Sequence, residues 1–227
     1  MIAALYSGGK DSTLAVHRMH KEGKDVELLI SIVPQNDFSY MFHKPNIRLT
    51  ALQAEAMGIR HVLFDTPGEK EEELGDLEAA LKLNRVTEIV TGAVASTYQK
   101  NRIDEICRRL GVVHHAPLWG VDPVKELGEL AKSFEVIITQ VSAEGFDDSM
   151  LGQRLDEEMI RMLIKLHERY RVNLLFEGGE AESFVLDAPL FKKKVVIKSA
   201  HKERMGSAGR YVIDEAVLED KQRQKGY

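Results

Sequence analysis

The residues best suited to chemistry stand near the start of the chain: Ser7-Gly8-Gly9-Lys10-Asp11-Ser12, followed by Thr13. Two glycines let backbone N–H groups approach an anion closely, the three hydroxyls add donors, and Lys10 adds a full positive charge. The apolar run 2–6 before this stretch and the amphipathic segment 11–22 after it predict a strand-to-helix turn, where the helix dipole also favours an anion. Such a turn suits phosphate. It is not a Walker A loop, because Lys10 is followed by Asp11 rather than by Ser or Thr, and it is not G-x-G-x-x-G. Asp11 fits two roles, a helix cap or a ligand for Mg²⁺ on a departing pyrophosphate.

A second concentration of reactive groups is Glu177-Gly178-Gly179-Glu180-Ala181-Glu182. Three carboxylates beside two glycines can attract a quaternary ammonium group, orient ammonium, or take a proton from it. The alternative is a solvated acidic turn. A third group, Ser96, Tyr98, Gln99 and Arg102, opens a helix after Gly92-Ala93. It is expected on the same sheet edge as the phosphate loop, in reach of an α-phosphate or ribose; the alternative is capping by Ser96 or Thr97 with Arg102 solvated. His43, in an aromatic and Met-rich loop, can donate to phosphate or be structural. Trp119 and Tyr98 can face a cation or simply pack.

These residues need a scaffold, and the pattern of the chain supplies one. Apolar β-rich runs at 2–6, 26–33, 60–64 and 86–91 alternate with helix-length segments at 11–22, 47–57, 70–83 and 98–110, which predicts parallel βαβ units. The run Val26 to Val33 is nearly all apolar, as for a strand covered on both faces. The fold class is therefore α/β, a doubly wound parallel sheet of Rossmann type. The alternation stops around Pro117 to Pro123, so a boundary is placed at 122. Residues 1–122 form the nucleotide-binding domain, and 123–227 a smaller α/β domain with a helix near 153–170 and strands at 134–142, 183–187, 193–199 and 209–213.

A net charge of -5 with interspersed signs argues against a nucleic-acid or anionic-membrane binder. The one basic cluster, Lys192 to Arg204, alternates with Val195, Val196 and Ile197 and fits a lysine-protected strand edge. The single cysteine, Cys107, excludes an internal disulfide and lies among Ile103, Ile106 and Leu110 as a core residue. No apolar run reaches bilayer length and residues 1–6 lack a basic leader, so the expected location is cytoplasmic with no membrane partner. The oligomeric state stays open, a homo-oligomer included.

The loop Ser7 to Ser12 resembles the SGGxDS loop of the PP-loop ATP pyrophosphatases, which cleave ATP between the α and β phosphates. Four further blocks resemble the diphthine–ammonia ligase family within that superfamily: Asp37 to His43, Thr91 to Arg102, Pro117-Leu118-Trp119, and Phe176 to Phe191. Ala181 departs from the pattern, where members often carry an aromatic. The resemblance implies ATP and Mg²⁺ as cofactors, ammonium as nitrogen source and diphthine on elongation factor 2 as the protein partner, giving diphthamide, AMP and pyrophosphate. Nucleotide contacts then fall to Ser7, Gly8, Gly9, Lys10, Asp11, Ser12, His43, Gly92, Ser96, Gln99 and Arg102, with main-chain groups of Ile32 and Val33 at adenine. Lys10, Asp11, Glu177, Glu180 and Glu182 carry the catalytic expectation, and Asp11 the metal.

Residue chemistry agrees with amide formation. A carboxylate becomes reactive toward an amine once adenylated, and Lys10, the loop amides and Mg²⁺ would stabilise the charge that develops on the phosphates. No cysteine pair is present for sulfur transfer. The alternatives are a PP-loop enzyme for another carboxylate or for RNA, and an ATP- or AMP-binding sensor without turnover.

Overall fold

A computed structural model of the chain describes residues 1–34, 46–66 and 72–221. Five short strands, β1 (Ile2–Leu5), β2 (Leu28–Pro34), β3 (Arg60–Thr66), β4 (Glu88–Val90) and β5 (Val113–His115), pair in parallel in the order β3-β2-β1-β4-β5. The intervening helices are α1 (Lys10–Lys21), α2 (Thr50–Met57), α3 (Glu72–Leu83) and α4 (Thr97–Leu110). Residues 28–33 of the central β2 are all buried, which is why that strand reads as one apolar run. Four more strands, β6 (Glu135–Val141), β7 (Ala181–Asp187), β8 (Lys193–Met205) and β9 (Ala208–Asp220), form an antiparallel sheet in the order β7-β6-β9-β8. Helices α5 (Pro123–Ser133) and α6 (Glu157–Tyr170) accompany it.

The chain is thus α/β with a doubly wound parallel sheet, as expected, but several elements differ from the sequence reading, among them the fifth parallel strand, β5, which it did not place. The 47–57 helix begins as a 3₁₀ turn over Ile47–Leu49. Residues 117–123 do not end the regular structure: Asp122 accepts hydrogen bonds from the amides of Val124 and Lys125, and Pro123 occupies the first turn of α5, where its missing N–H costs nothing. The last two strands are a hairpin of 13 residues each, longer than 193–199 and 209–213 suggest. Cross-strand pairs such as Lys198–Glu219 and His201–Asp214 let the hairpin extend through sequence that reads as too polar for strand. β8 lies at the sheet edge, where its lysines discourage further pairing.

Two apolar clusters flank the parallel sheet. On one face Leu28, Ile30 and Ile89 meet Leu77, Leu81, Ile103, Ile106 and Cys107 from α3 and α4. Burial pushes the Cys107 thiol up to about 11, consistent with an inert core group. On the other face Ala4, Leu14 and Val16 join Val136, Ile138, Phe184 and Val185 in a single cluster. The antiparallel sheet is therefore packed onto the phosphate-loop helix, not tethered beside it. Phe184 is 1% exposed in this shared core, and Phe184→Ala is expected to lower unfolding free energy by about 3–5 kcal/mol, read as a fall in the urea midpoint.

Candidate active site

The phosphate loop is shaped by contacts that forbid side chains. Gly8 adopts φ +76, and a Cβ there would lie 2.5 Å from Gln53 Oε1. A Cβ on Gly92, at the end of the neighbouring strand, would lie 2.7 Å from the backbone of Asp11 and Ser12. Gly9 caps α1 through its backbone, and its carbonyl accepts from the Thr13 and Ser12 hydroxyls at 2.9 and 3.2 Å. Ser7 and Ser12 hydroxyls lie 3.2 Å apart. The loop is also fastened from the second sheet. The Gly8 carbonyl accepts from Val185 N and Gln53 Nε2, each at 3.0 Å, and the Lys10 amide donates to Ser183 Oγ at 3.1 Å.

Lys10 is 1% exposed. Its Nζ donates to both Asp11 oxygens at 2.7 and 2.8 Å and to the Leu175 carbonyl at 2.7 Å, and lies 4.9 Å from the Phe176 ring centroid. The lysine charge is thus turned inward, where it pairs with Asp11 and pins the 175–179 turn to α1. Asp11 keeps 27% of its side chain exposed at the mouth of the site.

The three acids of the second motif are placed differently. Glu177 Oε2 accepts from the amides of Ala95 and Ser96 at 3.1 and 2.9 Å, joining the acidic turn to the start of α4. The Glu180 carboxylate accepts from Asn173 N at 2.7 Å and Gly178 N at 2.9 Å, so it closes the turn from within. Glu182 lines the cavity beside it. Phe176 holds φ 67, a left-handed conformation unusual for an aromatic, in the middle of this turn.

Two cavities open side by side over the loop. The first, about 170 Å³, is walled by Ser7, Ser12, Ile32, Thr91, Gly92 and Lys100; the second, about 400 Å³, by Lys10, Ser96, Tyr98, Gly178, Glu182 and Ser183. Asp11, Gln99 and Glu177 line both. Ala181 also faces the second cavity, where its small side chain leaves more room than an aromatic would. Of the expected nucleotide residues, Val33 is buried away from both walls, and Arg102 lies over the Tyr98 ring at 4.9 Å. His43 falls outside the described residues. Trp119 packs under the Lys100 ammonium at 5.5 Å.

Sequence reasoning assigns no role to Gln53, Thr91, Lys100 or Ser183. Gln53 and Lys100 stand in helices among ordinary polar residues, and only the tertiary fold turns them toward the loop and the cavity. Ser183 lies beside Glu182 in the acidic motif, so proximity to that motif was its one available signal. Among the described residues no cluster of three His, Cys, Asp or Glu side chains could hold a metal by itself. Mg²⁺ on nucleotides takes one or two carboxylates plus phosphate oxygens, and Asp11 at the shared wall fits that requirement.

Behind the loop, Glu126 of α5 is 1% exposed, and its nearest cation is Arg18 Nη2 at 3.8 Å. Burial, with repulsion from Asp11, raises its carboxyl to about 7. A raised folded-state value means the folded chain holds the proton more tightly, so stability falls as pH rises from the ordinary 4.5 through about 7. Glu126→Gln is expected to melt higher than wild type above pH 7, with the gap closing as pH falls toward 4.5, measured by thermal denaturation. Gly92→Ala, which drives a methyl group into the first turn of α1, is expected to weaken ATP binding roughly a hundredfold by calorimetry.

A family model described as the diphthamide synthase N-terminal domain matches residues 1–114, and one described as the diphthamide synthase C-terminal domain matches residues 122–218. The diphthine–ammonia ligase of Rattus norvegicus is 35% identical over 223 residues, an alignment covering 88% of this chain and 83% of the rat protein. That of Homo sapiens is 34% identical with the same coverage. That of Schizosaccharomyces pombe is 30% identical over 217 residues, 86% of this chain and 36% of the yeast protein. The chain belongs to the diphthamide synthase family.

Proposed function

We propose that this chain is a diphthine–ammonia ligase: it amidates the carboxylate of diphthine on elongation factor 2 with ammonium, consuming ATP and releasing AMP and pyrophosphate. The observation that carries the reading is the pair of cavities joined at Asp11, Gln99 and Glu177, one over a phosphate loop and one walled by acids. ATP would place its adenosine in the first cavity, against Ile32, with its phosphates at the loop. Residues 1–122 then form the nucleotide half and 123–227 the substrate half. Asp11 would hold Mg²⁺ on the phosphates, and the metal would supply charge neutralisation there.

In the second cavity the Glu177 and Glu182 carboxylates suit the quaternary ammonium of diphthine and an incoming ammonium ion. The diphthine carboxylate attacks the α-phosphorus, the α–β bridge breaks, and pyrophosphate leaves, giving an acyl adenylate. Glu182 takes a proton from ammonium; ammonia then attacks the acyl carbon, AMP departs, and the attacking nitrogen releases a second proton to solvent as the amide forms. The Glu177 clasp on Ala95 and Ser96 keeps α4, and with it Gln99, at the junction where both transfers occur. No helix among the described residues is long and apolar enough to cross a membrane. The proposed location is cytoplasmic.

Purified protein with ATP, Mg²⁺, ammonium and diphthine-bearing elongation factor 2 is expected to yield AMP and the amide in equal amounts, read by chromatography and by the mass of the modified histidine. Asp11→Asn lowers the rate at least roughly a hundredfold. Glu182→Gln lowers it by a similar factor, with ATP binding kept. ATP binding without either product would refute the reading for this substrate.

A further inference from the structure

The wall of the first cavity ends a hydrogen-bond chain that the proposed reaction does not use. Thr91 follows β4 and is 6% exposed; its Oγ1 lies 2.8 Å from His114 Nε2. His114 Nδ1 lies 2.6 Å from Asp104 Oδ1, and Lys100 donates to Asp104 Oδ2 at 2.6 Å. The polarity of this chain can be worked out from one end to the other. Burial raises the Asp104 carboxyl, but hydrogen bonds from His114 and Lys100 outweigh it and hold the group below its ordinary value. Asp104 is therefore an ionised, acceptor-only group, and His114 Nδ1 carries the proton. Burial pushes His114 below its ordinary value despite Asp104, so the ring is neutral and Nε2 accepts. Thr91 must then give its one O–H to His114.

A threonine hydroxyl normally rotates to meet either a donor or an acceptor. Here that freedom is removed, and the hydroxyl of this cavity-lining residue has only lone pairs left to offer a ligand. We propose that the Asp104–His114–Thr91 relay fixes Thr91 Oγ1 as a one-way hydrogen-bond acceptor in the cavity wall, selecting a nucleotide that presents an N–H or O–H donor there. The inference rests on the reading of this cavity as the ATP site and adds a specificity residue to it. Adenosine carries such donors in its 6-amino group and its ribose hydroxyls. A base with a carbonyl at that place, or a phosphate oxygen, would set acceptor against acceptor. The relay thus also turns the phosphates toward the loop side of the cavity.

The test titrates wild type, Thr91→Val and Thr91→Ser with ATP, 2′-deoxy-ATP, 3′-deoxy-ATP and purine riboside triphosphate, which lacks the 6-amino group. Thr91→Val is expected to weaken ATP roughly tenfold, while Thr91→Ser keeps wild-type affinity. One analogue should be insensitive to Thr91→Val, and the group it lacks is the donor that Thr91 reads. Equal weakening of all four nucleotides, or of none, overturns the proposal. Nitrogen-15 shifts of wild-type His114 give a reading independent of any variant: a bare Nε2 supports the relay, and a protonated Nε2 overturns it. A wild-type protein that binds none of the four nucleotides overturns the ATP reading and this inference with it.

Discussion

The site depends on a single set of contacts, those by which the second sheet grips the phosphate loop. Gly8 and Lys10 offer backbone groups to Val185 and Ser183, Gln53 of α2 joins at the Gly8 carbonyl, and the Lys10 ammonium reaches through to the Leu175 carbonyl. A glycine-rich loop free at one side would sample many conformations, and ordering it on ligand binding would reduce affinity. Here the ordering is built into the fold before any ligand arrives. Lys10 and Asp11 follow the same logic: a buried lysine needs partners, and the partners it finds hold two halves of the molecule together.

That dependence explains how the two sheets divide the labour. The parallel sheet brings the loop, Gly92 and the start of α4 to one edge, as doubly wound sheets do at the carboxyl ends of their strands. The antiparallel sheet contributes the acidic turn, and Glu177 joins the two by taking the first amides of the α4 approach. Acids that look alike in sequence become distinct groups: Glu180 shapes, Glu177 clasps and Glu182 faces the cavity.

Much of this was legible in the sequence because it is local. Strand-to-helix position marks Ser7 to Ser12 as a phosphate loop, continuous apolar runs mark the buried strands, and Cys107 sits where helix periodicity puts core. What escaped is non-local or masked by composition. The Asp122-Pro123 start of α5 was read as a break, since proline punctuates chains as often as it opens helices. The hairpin β8–β9 runs past its apolar stretch on charge pairs whose partners stand far apart in sequence. Gln53 has nothing in its immediate neighbours to set it apart, Thr91 has only the adjoining Gly92, and their roles follow from His114 and Val185, many residues downstream.

The grip of the second sheet on the loop also sets an order of events during synthesis. Residues 7–12 leave the ribosome well before the groups that fasten them, from Leu175 to Val185. The parallel sheet can form on the nascent chain, but the phosphate loop has no second wall until Leu175 to Val185 have emerged. A chain that has emerged only through the parallel sheet therefore has no finished site at which to consume ATP.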